Sequence, residues 1–293
     1  MYTEEFVEYL QKEKRMAPNT LEAYKRDVMG FMAFEASRGM TNVLETTSTE
    51  IVAYLHSLKS MGKSASTVNR KLASVRSFFN YLLREGQIAE NPTTGIKTPK
   101  IERKSIEFLS LEEIDKLLDS PDESLKGKRD RAILEVLYAT GIKVSELIEA
   151  NVEDVNFRMG FITCAASSSR ARIVPLGRPA RAALEEYVYD VRGKLLKDNK
   201  DEKALFINYY GKRITRQGLW KLLKEYGEKT QLSHKLTPNT LRNSFAVHML
   251  QNGADLKSLQ ELMGHEDITA TQVYLSATKS RIKDVYDKTH PRA

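Results

Sequence analysis

The 293-residue chain carries 46 Lys and Arg against 39 Asp and Glu, a formal net charge of +7, and one cysteine, Cys164. One cysteine excludes an intrachain disulfide, and the sequence shows neither a signal-like first segment nor an apolar run that could cross a bilayer, so we expect a cytoplasmic protein without membrane contact. The length predicts two modest domains, and the excess of positive charge favours a polyanionic partner.

Residues 1–88 are predicted to form a helical domain, because amphipathic spacing recurs in four segments. These segments are 3–14, 17–39, 47–62 and 64–86. They begin near Ser, Thr or Asn, and several run into Gly, which are the capping signals of short helices. The pattern is typical of a four-helix bundle.

The last of these helices is basic on the face opposite its apolar stripe, and so is the turn before it. No acidic residue lies among these cations in the sequence, which favours contact with DNA phosphates. An ordinary solvated helix face is an equally good interpretation. The candidate DNA contacts here are Lys59, Lys63, Arg70 and Lys71.

Helical periodicity stops after Glu90, where "NPTTGIKTPKIERKSIEF" brings two prolines, a glycine and several cations. We predict a linker over 89–107. Its cations are placed to contact the phosphate backbone, which adds affinity without sequence choice. They are Lys97, Lys100, Arg103 and Lys104.

Residues 108–293 are predicted to form a second domain, mostly helical with one small antiparallel sheet. Two strand-like segments, "VNFRMGFITCA" and "ARIVPLG", flank the polar turn "ASSSR", and helical patterns precede and follow them. Cys164 lies in the first strand, where a small buried side chain is a better interpretation than a nucleophile. The predicted fold class is therefore mainly α: a four-helix bundle followed by a mixed α/β domain.

Four separated segments carry a resemblance to a known family. They are "ATGIKVSEL", "ARIVPLG", "LTPNTLRNSFAVHMLQNGAD" and "LMGHEDITATQVYL", in the order, and at about the separations, that they have in the tyrosine recombinases. The chain most resembles the bacterial Xer-type recombinases. The resemblance implies a SAM-like DNA-binding bundle over 1–88, a catalytic domain over 108–293, and a reaction without metal, cofactor or ATP.

The resemblance also implies a reaction, in which a tyrosine hydroxyl attacks the scissile DNA phosphate and forms a 3′-phosphotyrosyl link. Tyr274 would be the nucleophile, Arg242 the second of two phosphate-binding arginines, and His265 a hydrogen-bonding histidine. Fixed cations stabilise the charge of the transition state in such a site. The alternative is that all three have structural roles only: Tyr274 as a packed aromatic, Arg242 as a surface cation, and His265 as a helix-capping or core histidine.

Three segments depart from the family's pattern. Lys143 replaces the first of the family's two phosphate-binding arginines, and a lysine cannot bind two phosphate oxygens at once as a guanidinium does. Asn239 and Asn243 replace two histidines and cannot titrate. Ser167 replaces the lysine that acts as general acid, and Arg170, the nearest cation, is a poor proton donor.

We therefore expect impaired cleavage, and two hypotheses stay open. One is an active recombinase in which Lys143 or Arg170 takes over a missing role. The other is a paralogue that binds DNA as an architectural or regulatory partner. A helical DNA-binding regulator and a topoisomerase-like nickase are the further alternatives.

The implied partner is double-stranded DNA, held between the two domains as in a clamp. Four protomers would act on two DNA sites, as a homo-tetramer or as a hetero-tetramer with a related recombinase. Chromosome-dimer resolution is favoured over mobile-element integration or excision. The helix "TRQGLWKLLKEYG" resembles the family's major-groove segment, although Trp220 and Leu222 fit an ordinary core helix as well. The candidate DNA contacts in this domain are Arg170, Arg172, Thr215, Arg216 and Gln217.

Overall fold

The computed structural model of the chain describes residues 2–98, 105–165, 171–197 and 199–277. The chain divides into two units, Met1–Arg103 and Lys104–Ala293. The predictions for some positions concern residues outside the described ranges, namely Lys100, Arg103, Lys104, Ser167 and Arg170. No helix within the described ranges is long and apolar enough to span a membrane.

Over residues 2–98, the first unit is a bundle of four helices. They are α1 (Tyr2–Lys12), α2 (Pro18–Ser37), α3 (Ser48–Ser60) and α4 (Ala65–Arg84). Ser64 precedes α4, and its Oγ accepts a hydrogen bond from the Thr67 backbone nitrogen (3.2 Å), so it satisfies a donor that the first turn leaves unpaired. The apolar stripes of the four helices meet in an aromatic core, where Phe6 and Phe78 pack edge to face with ring centroids 5.4 Å apart.

A buried carboxylate joins α2 to the cations of α4. Asp27 is 1% exposed and accepts hydrogen bonds from Arg70, from Lys71 (3.1 Å) and from Ser74 (3.1 Å). A buried charge is stable only with such partners. This acidic partner was not predicted, because Asp27 lies 43 residues before Arg70 in the sequence.

In the part that the structure describes, the second unit is mainly helical and holds one three-stranded sheet. Its helices are α5 (Leu111–Leu118), α6 (Leu125–Thr140), α7 (Val144–Glu149), α8 (Arg178–Glu186), α9 (Arg192–Leu196), α10 (Arg216–Thr230), α11 (Pro238–Gln251), α12 (Leu256–Met263) and α13 (Thr269–Gln272). A π turn, Tyr187–Val191, joins α8 to α9, and the 3-10 turn Val273–Ala277 follows α13. This is the mostly helical architecture that the sequence predicts.

The sheet is antiparallel throughout, in the order β1-β2-β3. Its strands are β1 (Val155–Asn156), β2 (Phe161–Cys164) and β3 (Arg172–Pro175). Ile162 pairs with Val174, and both side chains are buried, which fixes the register because a shift of one residue would expose them. Cys164 is fully buried as predicted, and burial raises the pKa of its thiol to about 11.

Candidate active site

Arg242 lies at the centre of the candidate site. It is 8% exposed on α11, a helix that Thr237 begins by accepting a hydrogen bond from the Thr240 nitrogen (3.0 Å). Its guanidinium donates to the carbonyl oxygens of Gly141 and Met263 (2.6 Å for Met263) and to Nε2 of His265 (3.1 Å). A guanidinium has five N–H bonds, so these three contacts leave two that they do not use. The arginine is both anchored and able to bind an oxyanion.

Two glycines give the backbone the turns that this anchoring needs. Gly141 ends α6 with φ +56°, and a Cβ there would lie 2.5 Å from the ring of Phe245. Gly264 ends α12 with φ +62°, and a Cβ there would lie 3.0 Å from the guanidinium of Arg172. Glycine is favoured in this left-handed region because it lacks Cβ. The backbone angle therefore favours glycine in both turns, and at Gly141 the ring of Phe245 leaves no space for a side chain.

His265 follows Gly264 and is held as a neutral ring. Because Arg242 donates to Nε2, that nitrogen is the acceptor, and the ring proton lies on Nδ1, which donates to Thr271 Oγ1 (2.8 Å). Burial lowers the pKa of His265 to about 4, and the nearby charges of Arg242, Lys143 and Arg172 act in the same direction. The ring is thus neutral at physiological pH, in one tautomer that the two hydrogen bonds define.

Tyr274 lies in the turn after α13 and faces the same pocket. Its side chain is 6% exposed, and its ring lies almost parallel to that of His265, with an angle of 10° and centroids 6.5 Å apart. Its hydroxyl donates to Oδ1 of Asn243 (3.2 Å). Burial raises the pKa of the phenol, and the positive charge of Arg242 opposes that rise. The phenol is therefore protonated and lies beside a fixed cation.

Lys143 brings a further cation to the pocket. It precedes α7, and its Nζ donates to the Gly264 carbonyl (3.4 Å) and lies 4.0 Å from Oε1 of Glu146. Its side chain is 43% exposed. Arg242, His265, Lys143 and Tyr274 come from three segments of the sequence and converge here.

An ion pair beneath the pocket connects three of its elements. Arg172 on β3 donates through both terminal nitrogens to Glu146 on α7 (2.8 and 3.0 Å) and through Nε to the Leu262 carbonyl on α12 (2.7 Å). Both side chains are nearly buried, at 11% and 10% exposed. These contacts engage the guanidinium of Arg172 inside the protein. Its contact with DNA stays a prediction.

We expect Glu146→Gln to lower the free energy of unfolding by about 3 kcal/mol at pH 7, since it leaves the buried Arg172 charge without its carboxylate. Burial works to raise the pKa of Glu146, but hydrogen bonds from Arg172 and the Lys143 nitrogen outweigh it, so the pKa is lowered. This contribution is present at neutral pH and is lost as the pH falls through the lowered pKa.

Urea denaturation at neutral and acidic pH measures this effect, with the exposed Glu149→Gln on the same helix as control. The difference in the free energy of unfolding between wild type and Glu146→Gln should become smaller at acidic pH. Equal stability of the two proteins at pH 7 would contradict the structural role of the pair.

Other predicted site residues within the described ranges are exposed at the starts of α11 and α10. Asn239 is exposed on the first turn of α11, three residues before Arg242. In the second unit, Thr215, Arg216 and Gln217 are exposed at the start of α10, where Thr215 Oγ1 accepts from the Gly218 nitrogen (3.0 Å).

The residues around this helix start differ in burial. Trp220 is 47% exposed while Leu222 is buried, so the tryptophan does not serve the core as the alternative interpretation supposed. The exposed start of α10 remains compatible with contact to DNA.

Two of the predicted cations of the first unit border one groove. Lys59 and Lys97 are exposed and line a cavity of about 470 Å³ together with His56 and Ile96. Lys63 is also exposed. Arg70 and Lys71 are bound to Asp27, so part of their charge is balanced inside the bundle. Their contact with DNA stays a prediction.

Several groups of the pocket were not predicted. They are the Gly141 and Met263 carbonyls, Glu146, Thr271 as partner of His265, and Asn243 as partner of Tyr274. Glu146 and Thr271 are visible as polar residues within the family segments, but nothing in the sequence marks which backbone carbonyls face a side chain.

Comparison with known proteins identifies the family of the chain. Residues 107–281 match the phage integrase family, and residues 3–86 match the phage integrase N-terminal SAM-like domain. A protein of Oceanobacillus iheyensis, tyrosine recombinase XerD, is 44% identical over 291 residues, which are 99% of this chain and 98% of the relative. The chain belongs to the phage integrase family, as an Xer-type tyrosine recombinase. The resemblance seen in the four sequence segments is thereby confirmed.

Solved structures share the fold of this recombinase. XerH site-specific recombinase bound to a palindromic difH substrate matches with a TM-score of 0.77 and 20% identity, over 97% of this chain and 83% of that one. A lambda integrase tetramer bound to a Holliday junction matches with a TM-score of 0.70 and 17% identity, over 93% and 76%. At these identities the likeness concerns the fold alone, and it confirms the predicted fold class.

Proposed function

We propose that this Xer-type tyrosine recombinase cleaves and rejoins DNA strands with Tyr274 as nucleophile and with Arg242, His265 and Lys143 around the scissile phosphate. One observation carries the proposal: Arg242 is anchored on two carbonyls and on His265, with the phenol of Tyr274 stacked against that histidine. As a tyrosine recombinase of Xer type, the protein binds DNA and acts in site-specific recombination.

The proposed step is a transesterification at phosphorus. The phenol oxygen of Tyr274 forms a bond to the phosphorus while the bond from phosphorus to the 5′-oxygen breaks. The phenol loses one proton and the leaving 5′-oxygen gains one, so the step needs no net proton and conserves the phosphodiester energy. Arg242 uses its two remaining N–H bonds on the non-bridging oxygens, whose charge grows in the transition state.

His265 would change its role when DNA binds. In this structure Nε2 accepts from Arg242, and burial together with the surrounding cations lowers the pKa of the ring to about 4. A DNA phosphate brings negative charge to the same pocket, which favours the protonated ring. Nε2 would then donate to a phosphate oxygen, provided that Arg242 turns its N–H bonds to the phosphate as well.

We further propose that cleavage is slower than in a recombinase with the family's full set of catalytic residues. The ammonium of Lys143, on a side chain that is 43% exposed, attracts phosphate as a point charge but cannot bind two oxygens as a fork. Ser167 and Asn239 supply neither a general acid nor a titrating group at neutral pH. The anchored Arg242 supports retained chemistry, and no contact in the described residues favours a protein that only binds DNA.

Assembly and DNA contact belong to the same proposal. The exposed cations Lys59, Lys63 and Lys97 would contact the phosphate backbone, and Thr215, Arg216 and Gln217 would face base edges. The lambda integrase structure holds a tetramer on a Holliday junction, which supports four protomers on two sites here. A cytoplasmic location, chromosome-dimer resolution and the choice between a homo- and a hetero-tetramer complete the proposal.

A nicked duplex tests the reaction. Cleavage beside the nick releases a short fragment that carries the free 5′-hydroxyl. Because this fragment diffuses away, it cannot attack the phosphotyrosyl bond, and the covalent protein–DNA adduct accumulates. The adduct is seen as a shifted band in a denaturing gel. The duplexes are first selected for binding from a random-sequence pool. Joined products from two duplexes separate a recombinase from a nickase.

We expect the affinity for DNA to fall steeply with salt, by about 10³-fold between roughly 50 and 200 mM, since binding releases counterions from each contacted phosphate. The double variant Lys59→Glu with Lys97→Glu should lower the affinity and flatten the slope of log K against log salt by about one per lost contact. A fluorescence-anisotropy titration measures both.

The matched control for this titration is Lys12→Glu on α1, an exposed cation outside the predicted DNA surface. It should shift the slope less than the double variant does. A nearly flat salt dependence of the wild-type protein would count against the phosphate contacts.

A further inference from the structure

Asn243 follows Arg242 on α11, and its side-chain amide makes two hydrogen bonds. Nδ2 donates to the carbonyl oxygen of Glu107 (3.0 Å), and Oδ1 accepts from the hydroxyl of Tyr274 (3.2 Å). A carbonyl only accepts, so the nitrogen of the amide must face Glu107, and the oxygen is left to face the phenol. The two bonds therefore define one orientation of the amide.

We propose that Asn243 is a positioning residue for strand cleavage, which holds the Tyr274 phenol beside the Arg242 pocket with its hydroxyl proton directed at the amide oxygen. The proposal rests on the proposed role of Tyr274 as nucleophile. With its proton on the side of Asn243, the phenol oxygen keeps its lone pairs for the phosphate. An amide does not take up a proton near neutrality, so Asn243 contributes geometry and no base.

The geometry matters because attack on phosphorus needs a well-placed oxygen. A displacement of about 1 Å of a reacting group can cost on the order of 10²-fold in rate. Tyr274 lies in a short 3-10 turn of five residues, which offers little rigidity of its own. The hydrogen bond to α11, a helix of 14 residues, supplies a rigid reference for the phenol.

Asn243 also ties α11 to the segment that precedes α5. Next to it, Ser244 Oγ accepts from the Leu109 nitrogen (2.8 Å) and donates to the Thr240 carbonyl (2.7 Å). The two neighbouring residues thus anchor the same segment, while the hydroxyl of Tyr274 bonds to Asn243. Ser244→Ala is therefore a matched control, which loosens the segment without removing the acceptor of the phenol.

The first experiment measures the phenol directly and needs no DNA. A fluorinated tyrosine at position 274 lowers the intrinsic pKa of the phenol and gives one ¹⁹F signal, whose pH titration reports that pKa. The groups that face this phenol are the Arg242 guanidinium, the neutral His265 ring and Asn243 itself.

We expect the pKa of residue 274 to be highest in Asn243→Asp, intermediate in wild type and lowest in Asn243→Ala. A carboxylate at this place disfavours the phenolate, whereas alanine removes the acceptor that stabilises the neutral hydroxyl. Ser244→Ala should leave the pKa unchanged. Equal pKa values in the Asp and Ala variants would overturn the proposal.

The second experiment measures the rate of adduct formation on the nicked duplex. Asn243→Ala should slow it about tenfold. Asn243→His, whose ring can accept from the phenol at one nitrogen and donate to Glu107 at the other, should stay within about threefold of wild type. Ser244→Ala should be slowed less than Asn243→Ala, with thermal melts showing that each variant is folded.

The two experiments distinguish the two proposals. Absence of any adduct in the wild-type protein would count against Tyr274 as nucleophile, whereas the titration would still decide whether Asn243 holds the phenol. An adduct that forms in Asn243→Ala at the wild-type rate would overturn the positioning role.

Discussion

Tyr274→Phe is expected to abolish the covalent DNA adduct, with a loss of about 10⁴-fold or more, since the variant lacks the only oxygen that the proposed step bonds to phosphorus. The ring itself should stay in place, because it is 6% exposed and packs in a cluster with Phe245, Leu259 and Met263. The loss should therefore appear in the adduct assay while the affinity for intact DNA changes by less than about threefold.

Tyr189→Phe serves as the control, since Tyr189 is a tyrosine that is 68% exposed and lies outside the pocket. It should form the adduct at the wild-type rate. The Tyr274→Phe variant loses one hydrogen bond, to Asn243, so its melting temperature should fall only slightly. An adduct of wild-type yield in Tyr274→Phe would show that another group attacks the phosphate, and the assignment of the pocket would be wrong.

The largest gain in rate is expected from restoring three family residues together, in the variant Lys143→Arg, Ser167→Lys, Asn239→His. An arginine at 143 would bind two phosphate oxygens where the lysine meets one, and a lysine at 167 would return a general acid for the 5′-oxygen. Each of these contributions is worth on the order of 10²-fold or more, although they do not simply add. We expect adduct formation to accelerate by at least about 10²-fold in single-turnover measurements.

A fourth substitution provides the control for this gain. Addition of Tyr274→Phe to the triple variant should remove the whole increase, because the restored groups are expected to act on the same nucleophile. The single variants show which replacement limits the rate, and Lys143→Arg should also reveal whether a larger cation fits beside Glu146 and Gly264. An unchanged rate in the triple variant would contradict the proposal that these three positions slow cleavage.

Much of the fold follows from local patterns in the sequence. The four helices of the first unit and most helices of the second lie where amphipathic periodicity and capping residues predict them, and the small sheet lies in the two strand-like segments. Such signals are local, since a cap or an apolar stripe involves residues within a turn or two of one another. The recombinase family could be recognised because its four segments keep their order along the chain.

The contacts that define the pocket depend on residues far apart in the sequence. Arg242 reaches the Gly141 carbonyl across 101 residues, and Asn243 reaches the Glu107 carbonyl across 136. Backbone carbonyls are the same at every position, so no residue type marks which of them accepts a given side chain. The departures at Lys143, Ser167 and Asn239 were visible as residue identities, but the place of Lys143 beside the Gly264 carbonyl was not.

The sequence by itself therefore determined the elements, the family and the residue types of the site, because these depend on neighbours along the chain. Only the tertiary structure decided the buried partner of Arg70 and Lys71, the tautomer of His265 and the acceptor of the Tyr274 hydroxyl. Each of these is a matter of which donor meets which acceptor, and packing alone brings those partners together.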